Sequence, residues 1–269
     1  MARQMKGLDT VFKRIVIINA WGIFSIYTVL AFSLFYFLKP TISFEILTSS
    51  RTLYSLGLSI FAATSATLIS MTLAVPAAYA LSRYDFRLKS LVDAVLELPL
   101  VVSPAALGAM VLIFFNNPIG SWINEKTISF VFSVSGIVLA QLITTLGISV
   151  RLMKAVLDEV PVRYEYVARS LGASPAFTFY KVVLPICRRG ILSSSILTWA
   201  KAFGEFGATI TIAGSIPKKT ETLPIAVFMR LAAADIEGAV VIIFISLAIG
   251  LGVLHLYKKL YYQRRLPDA

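Results

Sequence analysis

Long uncharged apolar runs, separated by short polar and basic connections, set the pattern of this chain. A hydrocarbon core of about 30 Å, divided by a helical rise of about 1.5 Å per residue, asks for roughly 20 apolar residues per crossing. Residues 15–38 are charge-free for 24 positions and follow Lys13 and Arg14. They are too long for a secretory signal and lack a small-residue cleavage site, so they predict an uncleaved first span. Residues 53–82 and 127–150 are charge-free for 30 and 24 positions and predict the second and fourth spans, each with some tilt. Between them residues 98–115 are uncharged but hold Pro99 and Pro104, which remove backbone donors, so a bent third span is expected over residues 92–115. Residues 190–216 are apolar except for Lys201 and Glu205, and residues 238–256 are apolar with His255 near the end. These make six spans. Residues 222–229 are too short to cross and are expected to lie at the interface or to cap a path.

Composition narrows the function. Of 269 residues 58% are hydrophobic and 14% charged, against about a quarter charged in a soluble domain, which excludes an ordinary water-soluble enzyme. The net charge of +11 would favour nucleic acid in a soluble protein, but here the basic residues sit between apolar runs, so no nucleic-acid partner is expected. With the N-terminus inside, 18 basic residues fall on the inner connections and six on the outer ones. The positive-inside rule therefore predicts cytoplasmic N- and C-termini. Tyr79, Tyr84, Tyr257, Tyr261 and Tyr262 cluster at the expected inner ends and Tyr36 and Trp122 near outer ends, as interfacial aromatics do. Cys187 and His255 are the only residues of their types, which excludes an intramolecular disulfide and a multi-cysteine metal site and removes most catalytic and metal-binding arrangements, so no catalytic or metal site is expected. Asp93 and Glu97 are expected near the inner headgroups or water, Pro76 as a packed kink, and Gln141 as an interhelical hydrogen bond.

The longest inner connection, residues 151–189, is amphipathic and basic. Val167, Ala168, Leu171 and Gly172 fall at helical spacing, and Ser174-Pro175 can end one helix and begin another. This predicts helix, turn, helix. Ala168, Gly172 and Ala173 leave room for a partner surface, while Phe177, Phe179 and Tyr180 supply bulky anchors. The same segment also reads as a plain hairpin joining two spans. Its residues resemble the permease subunits of ATP-binding-cassette importers, whose cytoplasmic loop has the pattern E-A-A, three residues, G, nine residues, I, one residue, L-P. Ala168, Gly172, Leu184 and Pro185 match in register; Tyr166 stands at the glutamate position, Val167 at the first alanine and Val182 at the isoleucine, with Glu165 displaced by one. The resemblance implies a coupling helix over residues 165–181 that docks in a cleft of the ATPase, with Glu165, Tyr166, Ala168, Gly172, Pro175, Phe177, Leu184 and Pro185 as its candidate residues. No G-x-x-x-x-G-K-S/T phosphate loop occurs in the sequence, so ATP and magnesium are expected on a separate subunit and no cofactor on this chain.

In the expected fifth span Ala200, Gly204 and Ala208 recur every fourth residue as a small-residue ridge, beside a polar row of Lys201, Glu205 and Thr209. Charges inside a span cost several kcal/mol unless paired or hydrated. Two readings stand: a buried structural salt bridge, or a direct role in passing an anion. Glu205 suits the first, because a bare carboxylate would repel an anion unless paired or protonated, and Lys201 suits the second. Ser103, Pro104, Lys201, Glu205 and Thr209 are the path candidates.

Gly204-Glu205-Phe206-Gly207-Ala208-Thr209-Ile210-Thr211, the Ile216-Pro217 step and Thr220-Glu221-Thr222-Leu223-Pro224 resemble molybdate and tungstate permeases, as do Leu98-Pro99-Leu100-Val101-Val102, Pro104 and Gly108. The likeness covers residues 53–256; sulfate permeases share parts of it. It implies an all-α membrane protein of six transmembrane helices with the type I importer permease fold. The chain divides into an N-terminal segment with the first span (1–52), a permease core (53–257) with its coupling loop (151–189), and a basic tail (258–269). The implied partners are a second copy of this chain, two ABC ATPase subunits, an extracytoplasmic molybdate- or tungstate-binding protein and membrane lipid. Closure of the ATPases would move residues 165–181 and tilt the third to fifth spans. Two other classes compete: an ion-driven secondary transporter or channel, since lone intramembrane charges also mark ion paths, and a membrane-embedded enzyme, which lacks convergent His, Cys or carboxylate groups.

Overall fold

A computed structural model describes residues 2–126 and 128–262, and among them every regular element is helical. In chain order the helices are α1 (Ala2–Ser33), α2 (Pro40–Thr48), α3 (Ser50–Arg83), α4 (Lys89–Leu96), α5 (Leu98–Val101), α6 (Pro104–Asn116) and α7 (Pro118–Lys126). There follow α8 (Val134–Asp158), α9 (Arg163–Ser170), α10 (Pro175–Thr178), α11 (Leu184–Phe203), α12 (Gly207–Ala213), α13 (Leu223–Ala232) and α14 (Ile236–Tyr262). Residues 263–269, most of the expected basic tail, lie outside the described residues.

The centre of the bundle is the pair α3 and α8, which make the most extensive helix contact among the described residues. They run in the same direction, Leu58 and Ala62 packing near Ile137, Ser70 meeting Ser149 and Arg83 reaching Leu157. On α3 the residues Ala62, Ala66, Ser70, Ala74 and Ala78 recur every fourth position and are all fully buried. Small side chains in a row let two helix backbones approach closely, which is how apolar helices gain packing where the surroundings are as apolar as they are. α11 packs against both. At mid-length a chain of hydroxyls crosses all three helices: Ser70 Oγ to Ser149 Oγ at 2.7 Å, and Ser149 Oγ to Thr198 Oγ1 at 3.0 Å. Towards the Arg83 end of α3, Met71, Leu81, Met153, Leu157, Val183 and Cys187 fill the core; towards the Arg51 end, Ile46, Ala63, Phe203, Leu223 and Ile242 do.

Among the described residues four helices are long and apolar enough to cross a membrane: Phe12–Phe37, Ser50–Arg83, Val134–Asp158 and Ile236–His255. α3 stays helical through Pro76. The third expected span is more than kinked, because Lys89–Val101 and Pro104–Asn116 meet at 113°, a broken span or a re-entrant loop. Pro104 disfavours helical geometry at Ser103, which is extended at ψ 146 and caps α6 by accepting a hydrogen bond from Ala106 N. The fourth span begins at Val134 rather than 127 and runs to Asp158, because Asn124 Oδ1 accepts from Phe130 N at 2.7 Å and Ser133 caps α8, leaving residues 128–133 as a loop. The fifth expected span, residues 190–216, is not one helix: α11 stops at Phe203 and α12 restarts at Gly207. By length and apolarity the described residues therefore support four whole crossing helices, or five with the bent pair, against the six expected. Residues 222–229 form most of α13, which packs on α14 and α3. α1 stands apart, with none of its most apolar window buried.

Candidate functional site

Two places concentrate the features singled out in the sequence. The first is the connection after α8. α9 ends in a left-handed turn at Gly172 (φ 89), with Ala173 N donating to Ala168 O at 3.1 Å and Gly172 N donating to Arg169 O at 3.0 Å. That pair of bonds closes the helix end in a Schellman motif and requires glycine for its backbone angle alone, since a Cβ there would meet open space. Ser174 then caps α10, accepting from Phe177 N at 3.2 Å, and Pro175 occupies its first turn. Five residues, Phe179–Val183, wind as a π-helix into α11, whose first turn holds Leu184 and Pro185. The helix–turn–helix leaves Tyr166, Val167, Leu171, Phe177 and Tyr180 exposed, Leu171 at 83%. A groove of about 660 Å³ runs between Ala168, Leu171, Gly172, Ala173, Ser174, Phe177 and Val182.

Glu165 does not share that face. Its exposure is 7%, and its carboxylate accepts from Arg83 Nε at 2.6 Å and from Tyr79 OH at 2.6 Å. Hydropathy and charge counting do not single out Arg83, one of many inner basic residues, or Tyr79, which the pattern places as an interfacial ring; their pairing with Glu165 is visible only in the fold. Glu97 and Asp93 lie at this same end, lining a cleft of about 400 Å³ with Arg151 and Lys154, and Glu97 pairs with Arg151 at 2.9 Å.

The second place is where two helix breaks meet. Gly207 rests on the start of α6, for a Cβ added to it would lie 3.0 Å from Ala105 N and 3.2 Å from Pro104 Cβ. A Cβ on Gly108 would lie 2.8 Å from Ala208 Cα, so α6 and α12 touch backbone to backbone. The gap between α11 and α12 is held by Glu205, which is 1% exposed: Oε2 accepts from Lys201 Nζ at 2.8 Å and Oε1 accepts from Ala208 N at 3.2 Å in the first turn of α12. Lys201 keeps 41% of its side chain exposed, and Ser103 and Gly204 are exposed as well. The expected unbroken ridge and polar row on one helix do not exist, because Gly204 and Gly207 flank the break and the Glu205 side chain competes for the amides that would continue the helix. Thr209 is fully buried and its Oγ1 has no hydrogen-bond partner, so it is not brought to the exposed surface with Ser103 and Lys201. Gln141, expected to bond across helices, is buried with Oε1 likewise unpartnered.

At the far end of α3 the Thr220-Glu221-Thr222-Leu223 stretch is buried. Arg51 grips Glu221 with two bonds, Nε to Oε2 and a terminal nitrogen to Oε1, each 2.7 Å. Leu223 N donates to Ser59 Oγ at 2.8 Å.

Comparison with known proteins places this architecture. Residues 66–265 match the family model of the binding-protein-dependent transport system inner membrane component. The molybdenum transport system permease protein ModB of Escherichia coli K12 is 34% identical over 201 residues, 72% of this chain and 86% of the relative. ModB of Haemophilus influenzae is 35% identical over 177 residues, 65% of this chain and 77% of the relative. The sulfate transport system permease protein CysW of Synechocystis is 41% identical over 151 residues, 55% of each chain. The MetNI methionine ABC transporter, solved in inward-facing conformations, shares the fold at TM-score 0.59 and 14% identity, covering 79% of this chain and 97% of that one. A bacterial ABC transporter that imports alginate does so at TM-score 0.56 and 17% identity, covering 81% of this chain and 78% of that one. With its apolar crossing helices, its broken helices and a family match over most of its length, this chain belongs to the inner membrane components of binding-protein-dependent transport systems, as a multi-pass ABC importer permease.

Proposed function

We propose that the chain is the channel-forming subunit of an ATP-driven importer for molybdate and tungstate. The observation that carries the transport mechanism is the exposed apolar helix–turn–helix at residues 163–177, built as a convex docking surface beside a groove that a partner side chain can fill. A separate ATPase subunit, carrying ATP and magnesium, grips it; two such subunits serve two copies of this chain, and a binding protein delivers the anion to the opposite face. That arrangement puts residues 151–189 and both termini in the cytoplasm, in accord with the basic charge there. It also counts the bent α4–α6 unit and the broken α11–α12 unit as crossing segments, restoring six. Residues 53–257 then form the permease core.

In this reading Ser103, Pro104 and Lys201 face the path. Lys201 supplies positive charge, while Glu205, committed to Lys201 and to α12, fixes the break and does not meet the anion. The cargo rests on relatives: the two ModB proteins above align over 86% and 77% of their length, while the 41% identity to CysW over 55% of its length favours a sulfate-type oxyanion as the second reading. The deciding experiment reconstitutes permease, ATPase and binding protein and compares ATP hydrolysis with molybdate, tungstate and sulfate. Stimulation by molybdate and tungstate at concentrations where sulfate is inert is the expected result; the reverse order assigns sulfate. Transport by this chain alone in vesicles overturns the ATP-driven mechanism.

A further inference from the structure

At the α9 end of α3 one guanidinium joins three helices. Arg83 Nε donates to Glu165 Oε1 of α9 at 2.6 Å, and a terminal nitrogen donates to the carbonyls of Leu157 at 2.9 Å and Val160 at 2.7 Å, at the end of α8. The other terminal nitrogen meets Ser82 Oγ at 3.0 Å. One turn back on α3, Tyr79 OH donates to the second oxygen of Glu165 at 2.6 Å, and the Tyr79 ring lies 4.6 Å from that of Phe179. Both charged side chains are enclosed, at 7% and 9% exposure.

This cluster is not ordinary surface pairing. The backbone of α9 packs chiefly on α10 and the π-helical turn after it; Glu165 ties α9 to Tyr79 and Arg83 on α3, and Arg83 carries the link on to the end of α8. Arg83 at the same time binds two carbonyls at the end of α8, where the helix dipole favours a cation. α3 and α8 are in turn packed along their lengths and tied to α11 by the Ser70, Ser149 and Thr198 hydroxyls. Close-packed elements joined by short charged bonds move together, because neither packing nor a buried ion pair stretches by much.

We propose that Arg83, Glu165 and Tyr79 form the strut that passes displacement of α9 to α3 and α8, so that Arg83 and Tyr79 are positioning residues for the coupling of ATP hydrolysis to the path. Glu165 is spent inside the chain and contributes to docking by holding α9, while Tyr166, Leu171 and Phe177 present the surface. The proposal rests on the docking role assigned above to residues 163–177.

The test uses the assembled complex of permease, ATPase and binding protein, with Arg83→Lys, Glu165→Gln and Tyr79→Phe beside the unaltered chain. Arg83→Lys keeps the charge next to Glu165 but loses the fork that also holds α8. Two quantities are read: the ATPase retained per permease, and the factor by which loaded binding protein stimulates hydrolysis per assembled complex. Expected are full retention in all three, a stimulation factor lowered about fivefold or more in Arg83→Lys and Glu165→Gln, and about twofold in Tyr79→Phe. A purely stabilising cluster would lower yield and leave the factor unchanged, and a factor unchanged in Arg83→Lys overturns the strut even if Glu165→Gln fails to accumulate. An unaltered chain that retains no ATPase overturns the docking reading and the strut with it; retention with an unchanged factor overturns the strut alone.

Discussion

α3 carries an arginine near each end, and each grips a glutamate distant in the sequence, yet the two pairs are built differently. At one end Arg83 and Glu165 are both enclosed. At the other, Glu221 is enclosed but 45% of the Arg51 side chain is exposed. Where both partners are dry, removing either strands a charge; where one is wet, the cost depends on which is removed. The wet pair thus fastens one segment with tolerance on its solvent side, and the dry pair fixes a helix on which a partner is proposed to pull.

The comparison can be broken by substitution. The largest effect is expected for Arg83→Ala and Glu165→Ala, each destabilising by about 3–5 kcal/mol, seen as a steep loss in the temperature at which the detergent-solubilised protein unfolds. Near-equal losses for the two are required. Arg51→Gln leaves the Glu221 carboxylate buried alone and costs about 3 kcal/mol, whereas Glu221→Gln leaves an arginine that water can reach and costs about 1 kcal/mol. Equal losses at this end would erase the distinction between the pairs. Gly108→Ala, which would press a methyl group on Ala208 Cα, is expected to cost about 1–3 kcal/mol and to part α6 from α12; an unchanged unfolding temperature would show that this contact yields. Smallest is Gly172→Ala, where space is open and only the left-handed backbone is strained, at about 1–2 kcal/mol. Its signature is faster protease cleavage between residues 170 and 175.

How much of this was legible in the sequence differs from place to place for physical reasons. The long crossing helices were readable because a bilayer imposes length and apolarity on any segment that crosses it. The turn at Gly172-Ala173-Ser174-Pro175 was readable because helix ends are specified locally, by a residue that tolerates positive φ and by a capping hydroxyl. The break at Gly204-Glu205-Phe206 was not. It is settled by Gly207 lying on Pro104 and Ala105 and by where the Glu205 carboxylate goes, which no hydropathy pattern contains. Arg83 and Arg51 were hidden by a rule that treats every basic residue beside a span as hydrated, when their partners lie 82 and 170 positions away. The alanine row of α3 was present at a four-residue period but dissolved into a uniformly apolar run.

The interruptions at Ser103 and at Gly204 leave peptide groups without their helical partners inside otherwise apolar stretches. Hydrocarbon offers such groups nothing, and lipid-facing irregular backbone is not tolerated. Both interruptions must therefore border an aqueous cavity or a second protein surface. The need for water or for a neighbouring protein at these two points is in that sense specified by a proline and two glycines.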